Sequence, residues 1–314
     1  MGGQPWDAGE GGGPPGRPVG VPAAGRELRP AGGRWRLLGT VANAPPWDGP
    51  TNMAVDQALL ASVAAGAPPV LRLYRWSRPT LSFGRNQPAR GLYDEAAAAD
   101  RGIDFVRRPT GGQAVLHDAE LTYAVVASVV AIGKPRAAYH RINAALVTGL
   151  RSLGLPASLA SPGSGGEADA VASGSARDGE DGAAAGRDWS AACFRRPERG
   201  EVIVGERKLV GSAQRVEART ILQHGSILLG GSQAVAEELL TGGRPPAAGA
   251  PGWTTLESEL GRRLSPGRVA SAIAAGFAAA LGLALEPGGL SADEVAESAR
   301  LRGRFGSREW TWRR

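Results

Sequence analysis

R-R-P-T-G-G-Q-A-V-L-H-D, Arg107 to Asp118, gathers two arginines, a glycine pair and a histidine between two stretches that read as strands, I-D-F-V-R-R and A-V-L-H. Glycines let a backbone pass close to a ligand, and guanidinium groups can meet a phosphate or a carboxylate. The same pattern also suits an ordinary hairpin with charges on its surface, because Gly-Gly is a common turn between strands. The chemistry of these residues alone leaves both readings open.

Three further stretches carry residues able to do chemistry. G-E-R-K-L-V-G-S-A-Q reads as a tight turn leading through Lys208 into a strand, where Gly211 and Ser212 leave room for a ligand or for a neighbouring strand. L-Q-H-G-S-I-L-L sets His224 in an otherwise apolar strand, where a hydrogen-bonded core histidine outweighs a catalytic one. S-A-A-C-F holds Cys193, the single cysteine of the chain. Taken alone it reads as a buried thiol, but Arg195, Arg196 and Lys208 follow it, and cationic neighbours lower a thiol pKa from about 8.5.

Outward from these motifs the sequence divides into ordered and solvated parts. Residues 1–33 contain 17 Gly or Pro and almost no large apolar side chains, so a disordered tail is expected. From Arg34 to residue 250 the pattern predicts one folded domain: a first strand in R-W-R-L-L-G-T-V, then a Thr- or Asn-capped helix with Val55, Leu59 and Val63 on one face. Strands follow in V-L-R-L-Y-R-W and T-L-S-F-G-R, with a helix over Tyr93–Arg101. A later helix carries Ile142, Leu146, Leu150 and Leu153 on one face and stops at Gly154. Residues 161–188 have one branched aliphatic residue, Val171, and six acids against two arginines, and so read as a disordered insertion. Residues 251–314 are expected to be a helical segment, with one helix opened by Ser265-Pro266 and another by a capping box of Ser291 and Glu294.

Composition narrows the classes further. Of 314 residues 42% are hydrophobic, enough for a sizeable core. One cysteine excludes an intramolecular disulfide framework and a cysteine-rich zinc site, and it suits a reducing cytoplasm, the location expected. The uncharged run Val269–Leu285 is short and Ala-rich, which favours a buried helix over a membrane span, so no membrane association is expected. The net charge of +6 suits an acidic partner, yet no basic run or nucleic-acid motif accompanies it, so nucleic acid is not the expected partner. Only Lys134 and Lys208 among 36 basic residues are lysines, which marks Lys208 for a task suited to a compact, tunable charge.

Together R-R-P-T-G-G-Q-A-V-L-H-D and G-E-R-K-L-V-G-S-A-Q resemble the two marks of the biotin/lipoate protein ligase family, in the family's order. The N-M-A-V-D-Q-A-L-L, L-R-L-Y-R-W, L-Q-H-G-S-I-L-L and A-C-F stretches are similar to its LipM-type octanoyltransferases, and the resemblance runs from Arg34 to the C-terminus apart from the acidic insertion. One departure is Gln113-Ala114 after the glycine pair, where Arg or Gly is usual.

The resemblance implies an α+β fold, a mixed sheet flanked by helices. It implies octanoyl transfer from octanoyl-acyl carrier protein to a lysine of a lipoyl-accepting protein, glycine cleavage protein H, in lipoate biosynthesis. It puts the acyl-thioester nucleophile on Cys193 and the lysine that lowers its pKa on Lys208. Arg108, Gly111, Gly112 and His117 would line the acyl tunnel and thioester site, with His117 either a proton shuttle or a structural hydrogen-bonding group. No metal or nucleotide cofactor is expected, and the protein is expected to act as a monomer. Two relatives in chemistry stay open: an ATP-dependent lipoate ligase, and an amidotransferase moving octanoate between lipoyl domains. A non-catalytic binding protein is the reading from outside the family.

Overall fold

The computed structural model describes residues 33–39, 45–161, 197–241 and 252–314. The Gly/Pro-rich tail, nearly all of the expected insertion and Cys193 lie outside the described residues, as does the expected boundary near residue 250.

In chain order the strands are β1 (Arg34–Leu38), β2 (Val70–Tyr74), β3 (Thr80–Phe83), β4 (Asp104–Arg107), β5 (Val115–His117), β6 (Glu120–Ser128), β7 (Ala157–Leu159), β8 (Val202–Val204), β9 (Arg207–Glu217), β10 (Thr220–Leu228) and β11 (Ala284–Pro287). The helices are α1 (Gly49–Ala64), α2 (Glu95–Asp100), α3 (Val129–Ile132), α4 (Pro135–Ser152), α5 (Val235–Glu238), α6 (Leu256–Leu260), α7 (Pro266–Leu281), α8 (Ala292–Phe305) and α9 (Arg308–Thr311).

Eight strands form one mixed sheet in the order β11-β1-β2-β6-β10-β9-β8-β7, and β4-β3-β5 form a second. The core strand β6 is buried along all but its last residue, as its unbroken L-T-Y-A-V-V-A run requires of a strand covered on both faces. One face packs under α4 and α7, where Ile142, Leu146, Leu150, Ile273 and Phe277 meet Val125 and Val210. The other packs under α1 and α8, where Val55, Leu59 and Val63 meet Ala124, Val126 and Leu222. The expected α+β architecture, a mixed sheet flanked by helices, is what the chain forms.

Several local expectations change. The helix near residue 50 is capped by Asp48, whose carboxylate accepts from the Thr51 amide at 2.9 Å, because Pro50 starts the helix before Thr51 and Asn52. The helix expected over Tyr93–Arg101 is shorter, because Asp94 caps it and Tyr93 bridges to Leu240 instead. The C-terminal segment is not wholly helical: Gly282 at φ +62° ends α7, and β11 then pairs in parallel with β1 at the sheet edge. The openings of the last two long helices are as expected, with Ser265 capping α7 and the Ser291–Glu294 box capping α8.

The most consequential change concerns the glycine pair. β4 and β5 do not form a hairpin; β3 lies between them, parallel to β4 and antiparallel to β5. Residues 108–114 therefore cross over the end of β3. The crossing is tight: a Cβ on Gly84 would lie 1.9 Å from the Gly112 carbonyl oxygen, and Gly112 itself holds φ +91°.

Candidate active site

The crossing loop is held shut from inside. Arg108 spends its donors on carbonyls, with Nη1 on Ser82 O at 3.0 Å, Nε and Nη2 on Gly111 O at 3.1 and 2.7 Å, and Nη2 on Gln113 O at 2.7 Å. Arg107 is fully buried and donates to the carbonyls of Gly84, Gln87 and Thr311. Burial, then the charges of Arg313 and Arg108, push its pKa down to about 10, so it stays a cation. Both arginines of the motif thus brace the loop, which is a finer role than the anion contact their chemistry first suggests. Gln113 contributes its carbonyl, which any residue supplies.

Thr110, in the same loop, connects to the core. Its hydroxyl lies 2.6 Å from His224 Nε2, and His224 Nδ1 lies 2.9 Å from Asp56 Oδ2 in α1. Asp56 also takes Arg72 Nη1 at 2.5 Å and the Tyr74 hydroxyl at 3.0 Å. Burial alone would raise the Asp56 pKa, but the charge of Arg72 and the bond from His224 overcome it and hold the carboxyl below its ordinary value. Burial likewise lowers the His224 pKa, and Asp56 offsets this only in part. His224 is therefore neutral, with its proton on Nδ1 facing the carboxylate and Nε2 accepting from Thr110. The sequence preference for a hydrogen-bonded core histidine holds, and Asn52 and Asp56, Arg72 and Tyr74, Thr110 and His224 form one buried unit.

A second histidine unit lies beside it. His117 stacks on Trp76 with ring centroids 4.0 Å apart, its Nδ1 lies 2.9 Å from Glu120 Oε1, and its Nε2 lies 2.8 Å from Ser82 Oγ. Ser82 Oγ in turn accepts from Arg108. Glu120 is 3% exposed, and its second oxygen, Oε2, has no hydrogen-bond partner among the described residues. Sequence reading missed Glu120, Ser82, Trp76 and Asp56, since nothing in a linear pattern shows which polar groups a fold will bury together.

Between the two units lies a narrow, partly open cleft with a volume of about 30 Å³. Arg108, His117, His224, Trp76 and Met53 line it, with Gly211, Ala213, Gly225 and Ser226 as its floor. Gly111 and Gly112 sit in the loop behind Arg108 rather than in this wall.

Lys208 reaches this face of the sheet through a β-bulge. Val210 pairs with Val202 but Lys208 pairs with Ile203, so one extra residue, Leu209, interrupts the alternation. Val202 and Val210 point into the core under α4 and α7. Lys208 falls on the opposite face, the one that carries Gly211 and Ala213 opposite Ser226 and His224. It lies beyond the cleft along β9, 1% exposed, with Nζ 2.7 Å from Glu201 Oε1. Burial raises the Glu201 pKa and the Lys208 charge opposes that rise. The other lysine, Lys134, is exposed at the start of α4.

Among the described residues no group of three or more His, Cys, Asp or Glu is placed to hold a metal ion, and no helix is long and apolar enough to cross a membrane.

Comparison with known proteins agrees with this arrangement. The model of the lipoyl protein ligase A/B catalytic domain matches residues 48–278. Octanoyltransferase LipM of Kyrpidia tusciae is 40% identical over 296 residues, covering 89% of this chain and 99% of that protein. Octanoyltransferase LipM of Moorella thermoacetica is 38% identical over 296 residues, with 89% and 98% covered. Among solved structures, a bipartite lipoate protein ligase of Thermoplasma acidophilum superposes with a TM-score of 0.65 at 23% identity, covering 89% of this chain and 96% of that one. Lipoate-protein ligase A bound with ATP gives 0.67 at 23% identity, with 89% and 98% covered, and both likenesses concern the fold.

Proposed function

Because the chain belongs to the lipoyl protein ligase A/B catalytic-domain family, we propose that it is an octanoyltransferase of lipoate biosynthesis, taking octanoyl from octanoyl-acyl carrier protein and delivering it to a lysine of a lipoyl-accepting protein, glycine cleavage protein H. The observation that carries this reading is the nearly end-to-end match to two octanoyltransferases, which extends through all the stretches that build the cleft.

In the proposed reaction the Cys193 thiolate attacks the carbonyl of the carrier thioester, the carrier thiolate leaves, and a thioester on Cys193 forms. One thioester replaces another, so this step is close to balanced. The acceptor amine then attacks, the Cys193 thiolate leaves, and the amide formed drives the transfer forward. The amine must shed a proton as it attacks. His117, oriented by Glu120 and facing the cleft, is the group assigned to receive it.

Lys208 follows Cys193 by fifteen residues and is buried, so its charge acts at low dielectric. Its pairing with Glu201 holds the ammonium in place and offsets part of its charge. The net effect favours thiolate over thiol and faces the oxyanion that develops at the carbonyl, where one preorganised donor is typically worth ~3 kcal/mol. The apolar wall of Met53 and Trp76 suits an acyl chain, each buried methylene contributing about 0.8 kcal/mol.

The test is to mix the protein with octanoyl-acyl carrier protein in the absence of ATP and weigh it intact. A single octanoyl adduct is expected, removable by hydroxylamine and absent from Cys193→Ser. Acceptor modification that needs ATP and survives Cys193→Ala would establish the ligase reading instead.

A further inference from the structure

A second, larger hollow of about 320 Å³ opens to solvent on the other side of the crossing loop. α1 contributes Gln57 and Ala61, α8 contributes Arg300 and Arg304, and Arg85, Arg215 and Trp310 close it. Its arginines outnumber its acids four to two, and both acids are already taken: Glu217 by Arg215 at 2.6 Å and Glu297 by Arg300 at 2.6 Å.

The other two cations of the wall, Arg85 and Arg304, crowd together with Arg313 beside them. The guanidinium carbons of Arg304 and Arg313 sit 4.0 and 4.2 Å from the Trp310 ring centroid. Arg313 donates Nη2 to the Arg85 carbonyl, and its buried Nε has no hydrogen-bond partner among the described residues. Burial, then Arg85 and Arg314, push the Arg313 pKa down to about 10. Such clustering costs free energy in the empty protein and is relieved by an anion, for which guanidinium groups on a concave wall are well shaped.

The hollow is joined to the acyl site by β9. Arg215, which bonds the Pro109 carbonyl at 3.3 Å, lies on the same strand face as Ala213 and Gly211, and the bulge brings Lys208 onto that face too. From Arg215 to Lys208 the strand covers roughly 20 Å at ~3.3 Å per residue. An acyl carrier holds its thioester at the end of an extended arm joined to an acidic protein through a phosphodiester. An acceptor, by contrast, presents an ammonium, which these arginines would repel.

We infer that the arginine hollow walled by Arg85, Arg215, Arg300 and Arg304, with Arg313 stacked on Trp310 beside it, docks the acidic acyl-carrier donor, receiving its phosphodiester so that the arm runs along β9 toward Lys208. This rests on the octanoyl-transfer reading and names where that donor binds. Steering by this patch makes the donor KM salt-dependent.

The experiment compares wild type with Arg304→Glu and Arg85→Glu, each checked for an unchanged melting temperature, using two donors: octanoyl-acyl carrier protein, and octanoyl-N-acetylcysteamine, a small thioester with neither phosphate nor protein. Each variant is expected to raise KM for the carrier donor at least 10-fold, to flatten its dependence on NaCl, and to leave the rate with the small thioester unchanged. An unchanged carrier KM overturns the inference. So does equal loss with both donors, or a KM change confined to the acceptor. A wild-type protein that transfers from neither donor overturns the octanoyl reading itself, and this inference with it.

Discussion

His224 in β10 and Asp56 in α1, 168 residues apart in sequence, meet with Nδ1 and Oδ2 2.9 Å apart, and the same Asp56 holds Arg72 at 2.5 Å. All three side chains are almost wholly buried. The ion pair is thus taken out of water, and each partner depends on the other for solvation.

Asp56→Ala leaves Arg72 as an uncompensated buried cation and His224 without an acceptor. A loss of about 3–5 kcal/mol is expected in urea or guanidinium unfolding. A loss under 1 kcal/mol would show that the network is not what holds α1 to the sheet.

The same histidine sets a pH dependence. Folding lowers its pKa from 6.5, so the unfolded chain binds the proton first. Stability from this residue is complete above pH 6.5 and declines as pH falls below it, by up to ~1.4 kcal/mol per pH unit until the folded pKa is reached. Unfolding free energies between pH 7.5 and 5.5 should show this slope in wild type and a shallower one in His224→Gln.

Gly111 and Gly112 are adjacent yet differ in what they tolerate. A Cβ on Gly112 would meet Arg108 Nη2 at 2.8 Å at a backbone φ of +91°, whereas one on Gly111 meets nothing within 4 Å among the described residues. Gly112→Ala is expected to cost about 1–2 kcal/mol and most of the activity, by displacing Arg108 from the cleft wall. Gly111→Ala should stay within ~0.5 kcal/mol of wild type. Equal effects in a melting and activity comparison would contradict the loop geometry.

Lys208 is argued to act through charge and reach together. Lys208→Arg keeps the charge but places a larger planar group in a site only 1% exposed, beside Glu201. A loss of at least ~100-fold in transfer rate is expected, matching the ~3 kcal/mol of one preorganised donor. In Lys208→Met, the pH dependence of Cys193 alkylation should move up toward the ordinary thiol value of about 8.5. Near wild-type rates in Lys208→Arg would remove its special role.

Glu120 is assigned to positioning His117 through Oε1. Glu120→Gln is expected to lower kcat ~10-fold or more while KM stays level, since the imidazole still lines the cleft but is held less firmly. A rise in KM at constant kcat would instead place Glu120 in substrate binding.

Much of the architecture was legible because it follows from local rules. L-Q-H-G-S-I-L-L read as a strand and is part of β10, Val55, Leu59 and Val63 marked the buried side of α1, and Ser265 and Ser291 announced their helices. The Gly-Gly stretch was recognisable as special, and the scarcity of lysine drew attention to Lys208. What stayed hidden were pairings between distant segments. Asp56 reads as one polar residue of a helix, and only the sheet order brings Arg72 and His224 to it. The sequence left a hairpin open for the strands flanking the glycine pair, since they are neighbours along the chain, while β3, chosen by tertiary packing, comes between them.

The sequence by itself determined many of the strands and helices, which turn needs glycine and which residue types are available for acyl transfer, because periodicity, capping and backbone sterics act within a few residues. Tertiary structure decided the face on which those residues appear. Strict alternation from Val210 would bury the Lys208 ammonium in the core under α4 and α7, but the bulge at Leu209 turns it to the face of Gly211, Ala213 and His224. A one-residue shift in strand register exchanges the two sides of a sheet, and register is fixed by pairing between strands rather than by either strand alone.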